Sequence, residues 1–234
     1  MTRITTVARL AGLFTFITIV AGGFAQGYAS ESLIDFGDAA ATANNIRNHS
    51  GLLYLGFAIY MIEMGCQIVA TALFYEVLRP VDRSLNLTAA LLSLAGCVIK
   101  AMSRLFFIAP LLVLNPRVPY LNVFTGDQLQ ALSLLLLAIN DRGAAIALLF
   151  FGMSTPLKGY LMYRSTFLPR ILGVLGMISG ALWLTFIYPP LGYRLFNVTA
   201  GVALIASVVL IYWLLRYGVD ENKWKALAAT ARLA

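Results

Sequence analysis

Residues 87–114 read LTAALLSLAGCVIKAMSRLFFIAPLLVL, an apolar run with Lys100 near its centre and Arg104 one turn further on. About twenty apolar residues suffice to cross the hydrocarbon core of a bilayer, so this stretch predicts a membrane-spanning helix. A charge at the middle of such a helix is unfavourable by roughly 2.5–3.5 kcal/mol on insertion scales, so it faces protein, a ligand or water rather than lipid. What answers Lys100 and Arg104 is therefore the main functional question.

The rest of the chain has the same character. Of its 234 residues 60% are hydrophobic and only 12% charged, against about 25% charged in soluble domains. The same length rule gives six spans, at about 6–27, 51–78, 87–114, 143–164, 167–188 and 193–217. The expected fold is an all-α integral membrane bundle in a single domain, 1–234. The start resembles a signal peptide, with Arg3, Arg9 and small residues at Ala25 and Ala29. Its apolar stretch is nearly long enough to span, so it is expected to be a retained first helix.

Two short helices are expected on the outer face. Asp38 is placed to cap one through Asn48, and Thr125 and Gln128 have capping-box spacing for another over 127–140. Joined to the fourth span, the second would make about 38 residues and roughly 57 Å, longer than the whole bilayer. It either bends at Asp141-Arg142-Gly143 or projects outward.

The net charge is +7, but the basic residues stand singly at the ends of apolar runs. That is the pattern of membrane topology rather than of a phosphate-binding face, so no nucleic-acid partner is expected. With the N-terminus inside, Arg3, Arg9, Arg79, Arg83, Arg164, Arg170, Arg216, Lys223, Lys225 and Arg232 fall on the cytoplasmic side. Arg47, Arg117, Arg142 and Arg194 fall outside. This bias puts both termini in the cytoplasm, with the short tail lying along the inner surface. Trp183, Tyr188, Tyr193, Trp213, Tyr217 and Trp224 near span ends suit an interfacial belt.

The polar residues inside the spans form two stripes. Span two carries Tyr60, Glu63, Gln67 and Thr71 at helical spacing, and span three Ser93, Cys97, Lys100, Ser103 and Arg104. Around the 79–86 hinge, residues at equal depth have numbers summing to about 165. Glu63 with Lys100, Cys66 with Cys97, and Tyr60 with Ser103 each sum to 163, so the stripes are expected to face each other. A Glu63–Lys100 pair lets each charge neutralise the other, either as a structural ion pair or as a ligand or proton site. Arg104 offers a planar fork suited to carboxylate or phosphate. It either binds an anion or lipid headgroup, or snorkels outward toward Asp141, the best candidate protein partner.

Lys158 either snorkels or pairs with Glu76, and Pro156 is expected to kink the fourth span. Gly173, Gly176 and Gly180, with Thr199, Ala203 and Ser207, make small-residue faces for close helix packing. The single histidine, His49, excludes a bis-histidine haem and speaks against a histidine-rich metal site. No HExxH, GxSxG, P-loop or GxGxxG motif occurs, and no cofactor is expected. Cys66 and Cys97 are expected to fill core space, with a disulfide conceivable at matched depth.

At 159–176, GYLMYRSTFLPRILGVLG, the chain resembles a bacterial family of multi-pass membrane proteins known as domain-of-unknown-function family 4386. The resemblance extends to ARLAGLFTFITIVAGGFA, GDAAATANNI, LRPVDRSLN and DQLQALSLLLLAIN, nearly the whole length. It implies fold and location, the bacterial inner membrane, but no activity. Positions that often carry Asp or His in that family are here Tyr60, Gln67 and Ser154.

Three functions follow. The first is binding or moving an anionic or lipidic small molecule, with Glu63, Lys100, Arg104, Tyr60, Gln67, Ser103 and Asp141 as the ligand-binding set. The second is an accessory subunit docking on membrane protein partners, or on a second copy, amid membrane lipids. The third is an intramembrane enzyme using Glu63, which ranks last because no nucleophile or metal cluster accompanies it.

Overall fold

The computed structural model describes residues 3–231, so Arg232 of the expected inner basic set lies outside the described residues. The helices are α1 (Arg3–Phe24), α2 (Ala39–Asn48), α3 (Ser50–Leu78), α4 (Arg83–Ile108), α5 (Pro110–Val113), α6 (Gly126–Arg164), α7 (Arg170–Trp183), α8 (Pro189–Arg216) and α9 (Glu221–Ala231). A π-helical segment, Ala25–Ser30, extends α1, and no strand occurs among the described residues. Six segments are long and apolar enough to cross a membrane, at Arg3–Ser30, Ser50–Leu78, Arg83–Val113, Gly126–Arg164, Arg170–Ile187 and Phe196–Arg216. The fold is an all-α bundle of a multi-pass membrane protein. Hydrocarbon offers no hydrogen bonds, so spanning backbone satisfies its own amides within a helix. Val20, Ile62, Leu91, Leu105 and Ile205 are each more than half exposed, which suits lipid and not water.

The ends of the helices follow local chemistry. Asp38 caps α2 by accepting from Ala41 N at 2.9 Å. Thr125 and Gln128 form the expected capping box: Thr125 N donates to Gln128 Oε1 at 2.9 Å, and Gln128 N to Thr125 Oγ1 at 3.3 Å. The helix that they open does not stop at Asn140. It runs unbroken through Asp141, Arg142 and Gly143 as the 39-residue α6, about 58 Å long. The stretch 127–140 is thus continuous with the helix of the fourth span, with no bend at Asp141-Arg142-Gly143 to separate them. Pro156 lies inside α6 without ending it.

The chain divides into two compact units: Met1–Ile17, Gly65–Cys97 and Ala145–Ala234 form the first, and Thr18–Met64 and Val98–Ala144 the second. In the first unit, Asp82 caps α4 through Leu85 N at 2.9 Å, and buried Asn86 donates to Tyr75 O at 2.7 Å. Thr71 and Ser93 hydroxyls meet at 3.0 Å, so the two stripes face each other there. Ser154 Oγ donates to Ala89 O at 2.7 Å, tying α6 to α4. Trp224 of α9 donates from Nε1 to Val77 O at 2.8 Å, and Asp220 caps that helix through Lys223 N at 3.2 Å. The core around Ala8, Leu78, Leu161 and Leu214 is apolar. Glu76 pairs with Arg79 at 3.7 Å, and no ion pair joins it to Lys158 among the described residues. Cys66 and Cys97 form no disulfide.

The glycine face of α7 packs within the chain. A Cβ on Gly173 would lie 2.5 Å from Gly159 O, and one on Gly180 would collide with the Pro156 ring. Backbone cannot move aside as a side chain can, so these positions admit no larger residue. Gly173→Leu is therefore expected to destabilise the protein by at least the 1–3 kcal/mol typical of overpacking. Thermal unfolding in detergent, followed by size-exclusion profile, checks this; an unchanged midpoint would mean that α6 and α7 do not pack so closely.

Candidate functional site

The second unit holds the charged residues that the sequence singles out. Gly22 sits where a Cβ would come 2.9 Å from Glu63 Oε1, so the missing side chain makes room for a carboxylate against α1. Opposite, Lys100 Nζ bonds Glu63 Oε1 at 2.5 Å. The pair is deep, with the Glu63 side chain 6% exposed and that of Lys100 16%. Glu63 Oε2 is buried and without a hydrogen-bond partner, which makes Lys100 the main source of compensation for this charge. Ser103 Oγ is turned back onto Lys100 O at 2.7 Å. A Cβ on Gly143 would lie 2.6 Å from Ser103 Cβ, so the glycine allows α6 to come close to α4 at this level.

Arg104 is 2% exposed. Its Nη1 donates to Asn140 Oδ1 at 2.8 Å, and its guanidinium carbon lies 3.6 Å from the centre of the Tyr60 ring. Nε is buried and has no partner. Tyr60, itself buried, is held on both sides. Its ring meets Phe107 edge-on with centroids 5.4 Å apart, while its hydroxyl donates to Gln26 Oε1 at 2.8 Å and lies 3.1 Å from Ser30 Oγ. Lys100 Nζ is 5.9 Å from the same ring. One aromatic face thus supports a buried guanidinium, an attraction of about 2 kcal/mol or more when desolvated.

Gln26 and Ser30 reach Tyr60 because α1 ends in a π-helix. Its wider turn returns Glu31 N to Gln26 O, five residues back, at 3.3 Å, and Ser30 Oγ donates to Ala25 O at 3.0 Å. Such segments recur at functional sites. Arg104 lines a cavity of about 180 Å³, together with Gln26, Ser30, Glu31, Ile34, Phe36, Asn140, Asp141 and Ala144. Arg104, Ser30 and Asn140 are buried, whereas Gln26, Glu31 and Phe36 are exposed at the rim.

Of the expected set, Tyr60, Glu63, Lys100, Ser103, Arg104 and Asp141 all belong to this unit; Gln67 belongs to the other one. Arg104 does not snorkel: it is buried, and its side-chain hydrogen bond runs to Asn140, the residue before Asp141. Asp141 lines the same cavity, as does Glu31. Sequence reasoning missed Gln26, Ser30, Glu31 and Asn140. The signal available for them was only that they are polar residues at the ends of apolar runs.

The family described as "Domain of unknown function (DUF4386)" matches residues 10–218. The chain belongs to this family. Neither a search of curated proteins nor one of solved structures found a match. The match of this DUF4386 protein covers α3 and α4 and all of the second unit's polar cluster, from Gln26 to Asp141. The family description carries no activity, so function rests on the geometry.

Proposed function

We propose that this DUF4386 protein binds or moves a small molecule through an oxyanion held by Arg104 in the 180 Å³ cavity. The observation that carries this reading is a buried arginine lining a cavity, with neutral Asn140 and Tyr60 as its close partners. A guanidinium is a planar array of donors that matches carboxylate or phosphate. Glu63 and Lys100 do not line the cavity, so their pairing supports a positioning and charge-balancing role beneath it.

The ten-to-four bias of basic residues supports a bacterial cytoplasmic membrane location with both termini inside. Asp141 and the Glu31 segment then belong to the outer half, where the cavity would load from the extracytoplasmic leaflet or the space beyond it. The accessory-subunit reading would use the small-residue faces of spans five and six, and at Gly173 and Gly180 the first of these packs on α6 of the same chain.

Native mass spectrometry of protein extracted gently from its own membrane tests the proposal. Wild type is expected to carry a reproducible small adduct that Arg104→Gln lacks. An adduct retained by that variant, or none on wild type, contradicts it.

A further inference from the structure

The cavity walls hold more than a cation. Arg104 lies at the buried end, while two carboxylates, Glu31 and Asp141, line the same 180 Å³. A simple anion satisfies Arg104 but is repelled by both carboxylates. A simple amine suits the carboxylates but is repelled by the guanidinium. The two signs also differ in setting. Arg104 is 2% exposed, so its field acts through little water; Glu31 is exposed and makes no ion pair among the described residues. Attraction is strongest where water is excluded, so an oxyanion belongs at the buried end.

We infer that the occupant is a zwitterion, with a phosphate or carboxylate on Arg104 and a primary ammonium at the carboxylates of Glu31 and Asp141. This rests on the oxyanion reading above and specifies its ligand class. A cavity of about 180 Å³ suits a compact head such as phosphoethanolamine or an amino acid. The head could come from a free solute or from a lipid whose tails stay outside.

Binding to the detergent-purified, adduct-free protein decides this, with two matched pairs of probes: phosphoethanolamine against inorganic phosphate, and glycine against acetate. In at least one pair the zwitterion is expected to bind ten-fold or more tightly than the anion. Glu31→Gln, a change at the exposed rim, is expected to shrink that ratio several-fold, and Glu31→Gln with Asp141→Asn to remove it. Arg104→Gln is expected to abolish binding of both members. Equal or tighter anion binding in both pairs overturns the zwitterion while leaving the oxyanion reading standing. If no probe binds, both fall, and ethanolamine binding as tightly as phosphoethanolamine also overturns both. A short-chain phosphatidylethanolamine that binds more tightly than phosphoethanolamine places the source in the bilayer, and equal binding places it in solution.

Discussion

Lys100→Ala is expected to destabilise the protein by about 3–5 kcal/mol, the usual effect of leaving a buried charge without its partner. Glu63 is 5% exposed, one of its oxygens has no hydrogen bond, and the other is held by Lys100. Removing the ammonium leaves a buried carboxylate without its ion-pair partner. Glu63→Ala is expected to have an effect of the same sign and similar size, through Lys100. The double change Glu63→Met with Lys100→Met should recover most of the loss, because replacing both members of a buried ion pair with apolar residues of similar volume is often neutral. Thermal and denaturant unfolding of the three variants in detergent provide the comparison. The recovered double variant should keep its bound adduct if the pair only positions and balances the site. Full stability without the adduct would instead put Glu63 or Lys100 in the binding machinery.

The second large effect concerns ligand more than stability. Arg104→Lys retains a positive charge but loses the planar fork, and its ammonium stacks less well on Tyr60. Loss of one hydrogen bond to a charged group, worth about 1.5–3 kcal/mol, corresponds to a roughly 10- to 150-fold weaker ligand. Arg104→Gln loses the charge as well and is expected to fall below detection. Neither change should lower the unfolding midpoint of adduct-free protein as far as Lys100→Ala does, since Arg104 meets a neutral amide and an aromatic face rather than a tight carboxylate pair. Titration of the adduct-free variants, beside their unfolding midpoints, separates the two effects. Midpoints that fall together with binding would make Arg104 a structural residue.

Much of this arrangement was legible in the sequence, for identifiable physical reasons. A bilayer demands about twenty apolar residues per crossing, so the six spans followed from run length alone. The Glu63–Lys100 pair followed from a short hinge, because two antiparallel helices of equal rise must bring residues at equal distance from the turn to the same depth. Depth does not determine rotation, however. Asn140 and Asp141 are adjacent on α6 and point about 100° apart, since a helix turns once every 3.6 residues. Which of them bonds Arg104 depends on how α6 packs against α4 across Gly143 and Ser103. Gln67 shares the helical face of Glu63 by spacing, but it lies in the other compact unit. The segment AQGYAS resembles a helix end, with its glycine and small residues. Only packing makes it a π-helical turn that sets Gln26 and Ser30 on Tyr60. The length of α6 was beyond sequence because Asp141-Arg142-Gly143 is compatible with either a break or a continuous helix.

The most direct test is an experimental structure of the protein embedded in lipid from its own membrane, at a resolution that shows small-molecule density. The account predicts non-protein density in contact with the Arg104 guanidinium, inside the cavity bounded by Ser30, Glu31 and Asp141. A cavity filled only by solvent, or an Arg104 turned fully onto Asp141, would contradict it.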